Sequence, residues 1–356
     1  MASTWGNTVK ISIFGESHGK SIGVVLDGLP AGVAIDQDAV REFMARRAPG
    51  TSEFATARRE EDRPEIQSGL WRGKTTGTPL CAVIANADTR SADYSDMEAV
   101  ARPGHADYTG FLRYSGHNDV RGGGHFSGRL TAPLVFAGAV AVQILAQRGI
   151  AIGGHIQSIE GCADDAPDSL SLTPEALLQT ASRPFPVFSA ERGATMQEKI
   201  RRAREEGDSV GGVVQCFALG VPGGIGSPMF DGVENRVASL LFGVPAVKGV
   251  EFGSGFAAAE MRGSQHNDAF RIQDGAVVTE TNRHGGILGG IATGMPIVVR
   301  AAFKPTPSIA LTQKSVEYVA LRDTDITVKG RHDPCIVPRA VPCVEACVAL
   351  ALLDLM

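Results

Sequence analysis

The chain has 356 residues, 43% of them apolar, and a formal net charge of −5. That is enough apolar sequence for a large buried core. The acidic balance argues against a general nucleic-acid binder, and only 6% aromatic residues leave little for base stacking. The first residues lack a basic segment followed by an apolar one, so no signal peptide is expected. The longest apolar run, near residues 346–356, is too short to span a bilayer, so no membrane partner is expected. The six cysteines form no CxxC pair. A soluble, reducing, cytoplasmic setting fits best.

In chain order, residues 9–14 alternate as a strand and run into Gly15-Glu16-Ser17-His18-Gly19. A second strand follows at 22–26. Asp36 opens a helix that stops before Pro49-Gly50, and the polar stretch 51–63 reads as a mobile loop. Residues 80–84 form a buried strand, 102–124 an irregular Gly- and His-rich stretch, and 130–147 an apolar, buried helix. Then come a strand at 149–159, one short helix within 166–186, and a charged helix at 195–206. A strand at 210–219 and a helix at 230–242 follow, then strands at 247–252, 277–280 and 296–303. The last element is a helix at 340–353, with Pro342 in its first turn. Strands and helices alternate without a linker, which predicts one α/β domain over residues 1–356. Arg121-Gly122-Gly123-Gly124-His125 and Arg283-His284-Gly285-Gly286 echo one another loosely.

The 43 glycines come in clusters, which marks places of sharp turning or close backbone approach. Six of the eight histidines adjoin a glycine: His18, His105, His117, His125, His155 and His284. A loop histidine suits proton transfer near neutral pH; the plainer reading of any one is a turn residue bonded to backbone. Arginines interleave with these glycines: Arg46, Arg47, Arg102, Arg121, Arg129, Arg283 and Arg331. Guanidinium forks beside bare backbone suit a multiply charged anion such as phosphate or carboxylate. No paired His/Cys metal spacing, no in-frame G-x-G-x-x-G and no Gly-Lys-Ser/Thr occurs, which disfavours a metal site, a Rossmann enzyme and a P-loop ATPase.

Gly15-Glu16-Ser17-His18-Gly19, Arg102-Pro103-Gly104-His105-Ala106-Asp107, Arg121-Gly122-Gly123-Gly124, Gly207-Asp208-Ser209, Val247-Lys248-Gly249-Val250-Glu251, Gly285-Gly286-Ile287-Leu288-Gly289-Gly290, Lys304-Pro305-Thr306-Pro307-Ser308 and Gly330-Arg331-His332-Asp333-Pro334-Cys335 occur in that order. Together they resemble the chorismate synthases over nearly the whole chain. The resemblance implies a single-domain β-α-β sandwich that assembles as a homotetramer. It implies an anti 1,4-elimination of phosphate from 5-enolpyruvylshikimate 3-phosphate with reduced FMN. By the same resemblance His18 protonates the leaving phosphate, His105 serves the reduced flavin, and Asp333 with Ser17 assists removal of the ring hydrogen. Arg47, Arg129 and Arg331 hold anions. His125, Phe126, Ser127, Gln265, His266, Gly289, Lys304, Pro305, Thr306, Pro307, Ser308 and Arg331 match flavin-contacting segments.

Two departures stand out. His125-Phe126 replaces the family's usual Arg-Ser, and Glu53 stands where an arginine tied to substrate or NADP contact is common. Glu53 puts direct use of NADP in doubt, and with no extra flavin-reductase domain legible the reductant is expected to be external. His125 is expected to face the flavin or substrate anion in the arginine's place, against the alternative that it only turns the chain. Two other functions compete: a flavin-dependent reductase of an unsaturated acid and a non-catalytic anion binder.

Overall fold

The computed structural model describes residues 3–50, 62–86, 99–328 and 332–356. Two antiparallel five-stranded sheets face each other across a layer of helices. The first contains Thr4–Trp5 (β1), Lys10–Gly15 (β2), Ser21–Asp27 (β3), Pro64–Ser68 (β4) and Leu80–Ala85 (β5), hydrogen-bonded in the order β1-β2-β3-β5-β4. The second contains Ala151–Ile159 (β6), Cys162–Ala163 (β7), Gly212–Leu219 (β8), Val247–Phe252 (β9) and Ile297–Phe303 (β10), in the order β9-β10-β8-β6-β7. The helices are Gln37–Ala45 (α1), Asp107–Tyr114 (α2), Thr131–Ala146 (α3), Pro174–Ala181 (α4), Ala190–Glu205 (α5), Val233–Gly243 (α6), the single turn Gly263–His266 (α7) and Val337–Leu355 (α8). The expected α/β class and β-α-β sandwich are what the chain adopts.

The middle layer is α3 and α8. Helix α3 packs on β2, β3 and β5 of the first sheet; α8 packs on β6 and β8 of the second; and the two helices pack on each other. Being covered on all sides explains why α3 is apolar around the whole helix and why the charges that α8 carries, Arg339, Glu345 and Asp354, are each paired. Residues Gly128–Ala146 are long and apolar enough to cross a membrane, but 83% of that window lies inside the protein. One continuous apolar core reaches from Val9 to Leu353. Helix α4 covers the far face of the second sheet, where Leu177 meets Phe217 and Val298.

Several sequence expectations change, and the charged helix expected at 195–206 begins at Ala190, five residues early. The irregular stretch 102–124 contains α2, whose start is Asp107. Helix α8 begins three residues early, which moves Pro342 from the first turn into the helix interior. Two polar hairpin strands, Gln313–Glu317 and Arg322–Ile326, went unread because their exposed faces carry no alternating apolar pattern. The loop expected at 51–63 lies almost wholly outside the described residues, as does Glu53.

The helix pair meets at small residues. A Cβ added to Gly138 of α3 would lie 2.1 Å from Ala346 Cβ and 2.4 Å from Ala346 Cα. Gly138→Ala should therefore force the helices apart and destabilise the protein by about 1–3 kcal/mol, the usual cost of overpacking. Adding Ala346→Gly should recover only part of this, because the Cα clash remains. Urea midpoints of the single and double variants measure both effects; an unchanged midpoint for Gly138→Ala would show that the layer is loosely packed.

Candidate functional site

A cleft of ≈ 920 Å³ opens where α3 and α8 begin. Leu130, Thr131 and Leu134 line it from one helix, and Ile336, Arg339 and Ala340 from the other. Two long helices thus present their N-termini, the positive ends of their dipoles, to the same space. Trp5 of β1, Phe242 of α6, and Lys248 at the start of β9 form the outer wall.

The triple glycine organises the reactive side. Gly122 and Gly123 adopt φ of +60° and +83°, a left-handed pair that a side chain would strain. A Cβ on Gly122 would lie 2.8 Å from His18 Cε1 and 3.0 Å from Ser17 Oγ; one on Gly123 would lie 3.1 Å from His105 Cε1. The bare backbone therefore lets Ser17 and His18 approach from one side and His105 from the other. Ser17 N–H donates to Gly124 O at 3.1 Å, joining the two loops.

His105 is set by its own motif. Gly104, at φ +73°, turns the chain so that Asp107, in the first turn of α2, faces back. His105 Nδ1 lies 2.6 Å from Asp107 Oδ1, so Nδ1–H donates and Nε2 remains beside Gly123. Arg102 donates to both Asp107 oxygens, at 2.8 and 2.7 Å, and to Ser308 Oγ at 3.3 Å. Burial opposes the Asp107 charge, but hydrogen bonds from Arg102 and His105 outweigh it and hold the carboxyl well below the usual range.

The cleft floor is a buried charge cluster. Asp62 pairs with Arg47 through one oxygen and with Arg129 through the other. Arg129 also donates to Asn86 Oδ1 at 3.1 Å and to Ala85 O at 3.3 Å; Arg47 donates to Thr131 Oγ1 at 3.3 Å. Burial opposes the Asp62 charge, and the two guanidiniums more than offset it, so its pKa is lowered. Two cations on one anion leave the floor positive within an acidic protein. Asn86 does double duty: its Nδ2 donates to Glu16 O at 3.0 Å and Gly19 O at 2.9 Å, clamping the Ser17-His18 turn. Asp333 accepts from Arg339 Nη1 at 2.6 Å, and Arg339 Nε donates to Arg47 O at 2.8 Å.

The cleft gathers Arg47, His105, His125, Phe126, Ser127, Arg129, Lys304, Thr306, Pro307, Ser308 and Asp333, with Ser17 and His18 beside Gly122. Pro305 belongs to the Lys304 segment but does not line the cleft. Lys304 Nζ donates to Gly104 O; burial, and then the charge of Lys248, lowers its pKa. Gln265 lies instead in a separate depression of ≈ 440 Å³ with Met261, Asn267 and Arg283. The His266 ring packs on His284, centroids 4.4 Å apart, and Gly289 turns the hairpin between Ile287–Leu288 and Ile291–Ala292. Within one chain these three residues do not reach the cleft. Arg331 lies outside the described residues.

The histidine-beside-glycine pattern overreaches at three places: His117 and His284 do not line the cleft, and His155 is a core residue. His155 is wholly buried in β6, between Asp164 and Gln215, and belongs to the core. Sequence reasoning missed Asp62, Asn86, Asp107 and Arg339 as members of the site. Only Asp107 had a signal, its place in the Arg102–Asp107 motif. Among the described residues no three His, Cys, Asp or Glu side chains are grouped to hold a metal ion.

A family model described as chorismate synthase matches residues 9–356. The chain belongs to the chorismate synthase family. It is 47% identical over 351 residues to the chorismate synthase of Thermococcus kodakarensis, covering 98% of this chain and 96% of that protein. It is 45% identical over 355 residues to that of Dehalococcoides mccartyi, covering 100% and 96%. A solved structure titled "Crystal Structure of Chorismate Synthase" superposes with a TM-score of 0.75 at 30% identity, covering 99% of this chain and 92% of that one. Membership makes the protein a lyase of the shikimate pathway.

The Asp62 cluster generates a stability prediction. Asp62→Asn keeps the shape at a φ of +48° that Asn also tolerates, but leaves two buried guanidiniums facing each other. It should cost about 3–5 kcal/mol. The folded pKa is depressed, so the stabilisation is complete above the unfolded value and lost as pH falls through the folded one. Wild type should lose stability as pH falls below about 4, the unfolded carboxylate value, and Asp62→Asn should lose less. Urea titrations at stepped pH check this; parallel pH profiles would remove Asp62 from the acid response.

Proposed function

We propose that this chain removes phosphate from 5-enolpyruvylshikimate 3-phosphate by an anti 1,4-elimination that gives chorismate, with reduced FMN as cofactor. One observation carries the reading: Ser17, His18 and His105 converge on two bare glycines beside a positively charged floor. A substrate with a phosphate and two carboxylates needs such a floor, and a departing phosphate needs a proton donor.

Two hydroxyl oxygens at the site, Ser17 Oγ and Thr306 Oγ1, are buried with no hydrogen-bond partner among the described residues. Leaving them so is costly, and a ligand rich in polar atoms relieves the cost. The volume lies near the top of the range of about 300–1,000 Å³ for small-molecule sites and suits a flavin beside a substrate. Phe126, Ser127 and the Lys304–Ser308 segment would hold FMN, with the Lys304 ammonium toward an anion. When bound, reduced FMN supplies electron density to the substrate as phosphate leaves and recovers it afterwards, so the reaction has no net redox change.

His18 would give its proton to the leaving phosphate. His105 would serve the reduced flavin through Nε2, which accepts from Arg102 Nη2 at 3.3 Å, its ring fixed by Asp107 at Nδ1. Asp333, with Ser17, would assist removal of the ring hydrogen. Arg47 and Arg129 have most of their donors committed to Asp62, Thr131, Asn86 and Ala85, so they act chiefly as a fixed positive field. Gln265, His266 and Gly289 lie off the cleft; contact from them would have to reach a ligand held by another copy in the homotetramer we propose. We also propose a cytoplasmic location and an external flavin reductant.

His18→Ala and His105→Ala should each lower turnover by roughly 10²–10⁴-fold. Asp107→Asn should lower it by a similar factor, about 10⁴-fold at most, by favouring the wrong His105 tautomer. Asp333→Asn should fold and bind FMN but eliminate slowly. Anaerobic assays with reduced FMN and 5-enolpyruvylshikimate 3-phosphate should give many chorismates and phosphates per flavin. One turnover per flavin would favour a reductase instead, and ligand binding without any turnover would favour a non-catalytic anion binder.

A further inference from the structure

His125 lines the cleft, yet both its ring nitrogens are bonded within the chain. Nδ1 lies 2.8 Å from Gly15 O, and Nε2 lies 2.8 Å from Ser3 Oγ. Gly15 O can only accept, so Nδ1 carries the proton; Nε2 then accepts from the Ser3 hydroxyl. Both positions have consequences. Gly15, at φ +98°, is the last residue of β2 and the first of the turn that carries Ser17 and His18. Ser3 directly precedes β1, and its carbonyl accepts from Ile13 N at 2.9 Å. The neighbouring Phe126 packs on Tyr114, ring centroids 6.2 Å apart, and both line the cleft.

We propose that His125 is a positioning residue, which holds the Ser17-His18 turn in place and docks the strand at the cleft mouth. The turn is then clamped twice. Asn86 grips its Glu16 and Gly19 carbonyls from the Arg129 side, and His125 grips its Gly15 carbonyl from the Ser3 side. An arginine at this position has five donors and could hold Gly15 O with donors to spare for an anion. An imidazole has two nitrogens, and both are used. Contact with a ligand would require breaking the bond to Ser3.

The inference rests on the proposed lyase reading only in its kinetic consequence, so the test has a part that needs neither substrate nor flavin. In ligand-free full-length protein, amide exchange across residues 15–19 should quicken by about tenfold or more in His125→Ala. His125→Asn, whose amide reaches the Nδ1 position, should restore most of the protection. Ser3→Ala should loosen residues 3–5 and leave 15–19 nearly unchanged. In anaerobic turnover, His125→Ala should lower kcat by roughly 10–100-fold through misplacement of His18, with KM and FMN affinity within about threefold of wild type. Unchanged exchange at 15–19, or an Asn variant no better than Ala, would overturn the proposal. So would weakened FMN or substrate binding with kcat intact, the pattern of a direct ligand contact. Should His125→Ala fail to fold, the exchange patterns of His125→Asn and Ser3→Ala decide the matter. If no variant or wild type makes chorismate, the exchange result still stands apart from that failure.

Discussion

The close crossing of α3 and α8 at Gly138 and Ala346 sets the geometry on which everything else rests. Each helix supports a different sheet, so their separation is also the separation of the sheets. Each helix also starts at the cleft. Arg129 lies two residues before α3, Asp333 lies four residues before α8, and Arg339 is in the first turn of α8. A shift of one helix against the other would therefore move the guanidinium floor relative to Asp333. Small residues at the crossing make the register tight, because close-packed interiors transmit displacement rather than absorb it.

On this frame the charges are arranged by burial. Asp62 and Asp107 are each nearly sealed from water, and each is kept ionised by arginine. Their partners are held as firmly as they are, since removing one member would leave an unpaired charge in a poorly polarisable interior. The protein is acidic overall, yet its cleft collects Arg47, Arg129, Arg339, Lys248 and Lys304. Fixed dipoles and charges of this kind stabilise an anion without having to reorganise around it.

Much of this was legible in the chain. Alternation located β2, a short apolar run located β5, and the long apolar runs located α3 and α8, because burial on every side erases periodicity in a recognisable way. The ordered glycine motifs pointed to Ser17, His18, His105 and the Lys304 segment. Helix α2 escaped because Gly110 and a sparse apolar face disguise it. Asp62 and Asn86 escaped for a different reason. They are ordinary polar residues in ordinary loops, and what makes them matter is contact with Arg47 and Arg129, 15 and 43 positions away. His155 shows the converse, a residue with the right neighbour in sequence and the wrong one in space. His125 stands between: its place at the cleft was expected, but its commitment to Gly15 and Ser3 depends on a strand 110 to 122 residues earlier.

Near its end, α8 reaches back to the beginning of the chain. Asp354 Oδ1 accepts from the N–H groups of Asn7, Thr8 and Val9 at 2.7–2.9 Å, and its other oxygen pairs with Arg236, whose guanidinium stacks over Trp5. The Val9 contact spans 345 positions. At roughly 5–20 residues per second, a ribosome needs on the order of 20–70 s to make that stretch. Throughout that interval Asn7, Thr8 and Val9 lack the carboxylate that accepts from their N–H groups, and α3, once made, lacks the helix it packs on. The cleft, lined in part by the start of α8, is thus born only after that helix emerges, and the apolar face of α3 must be kept from other partners until then.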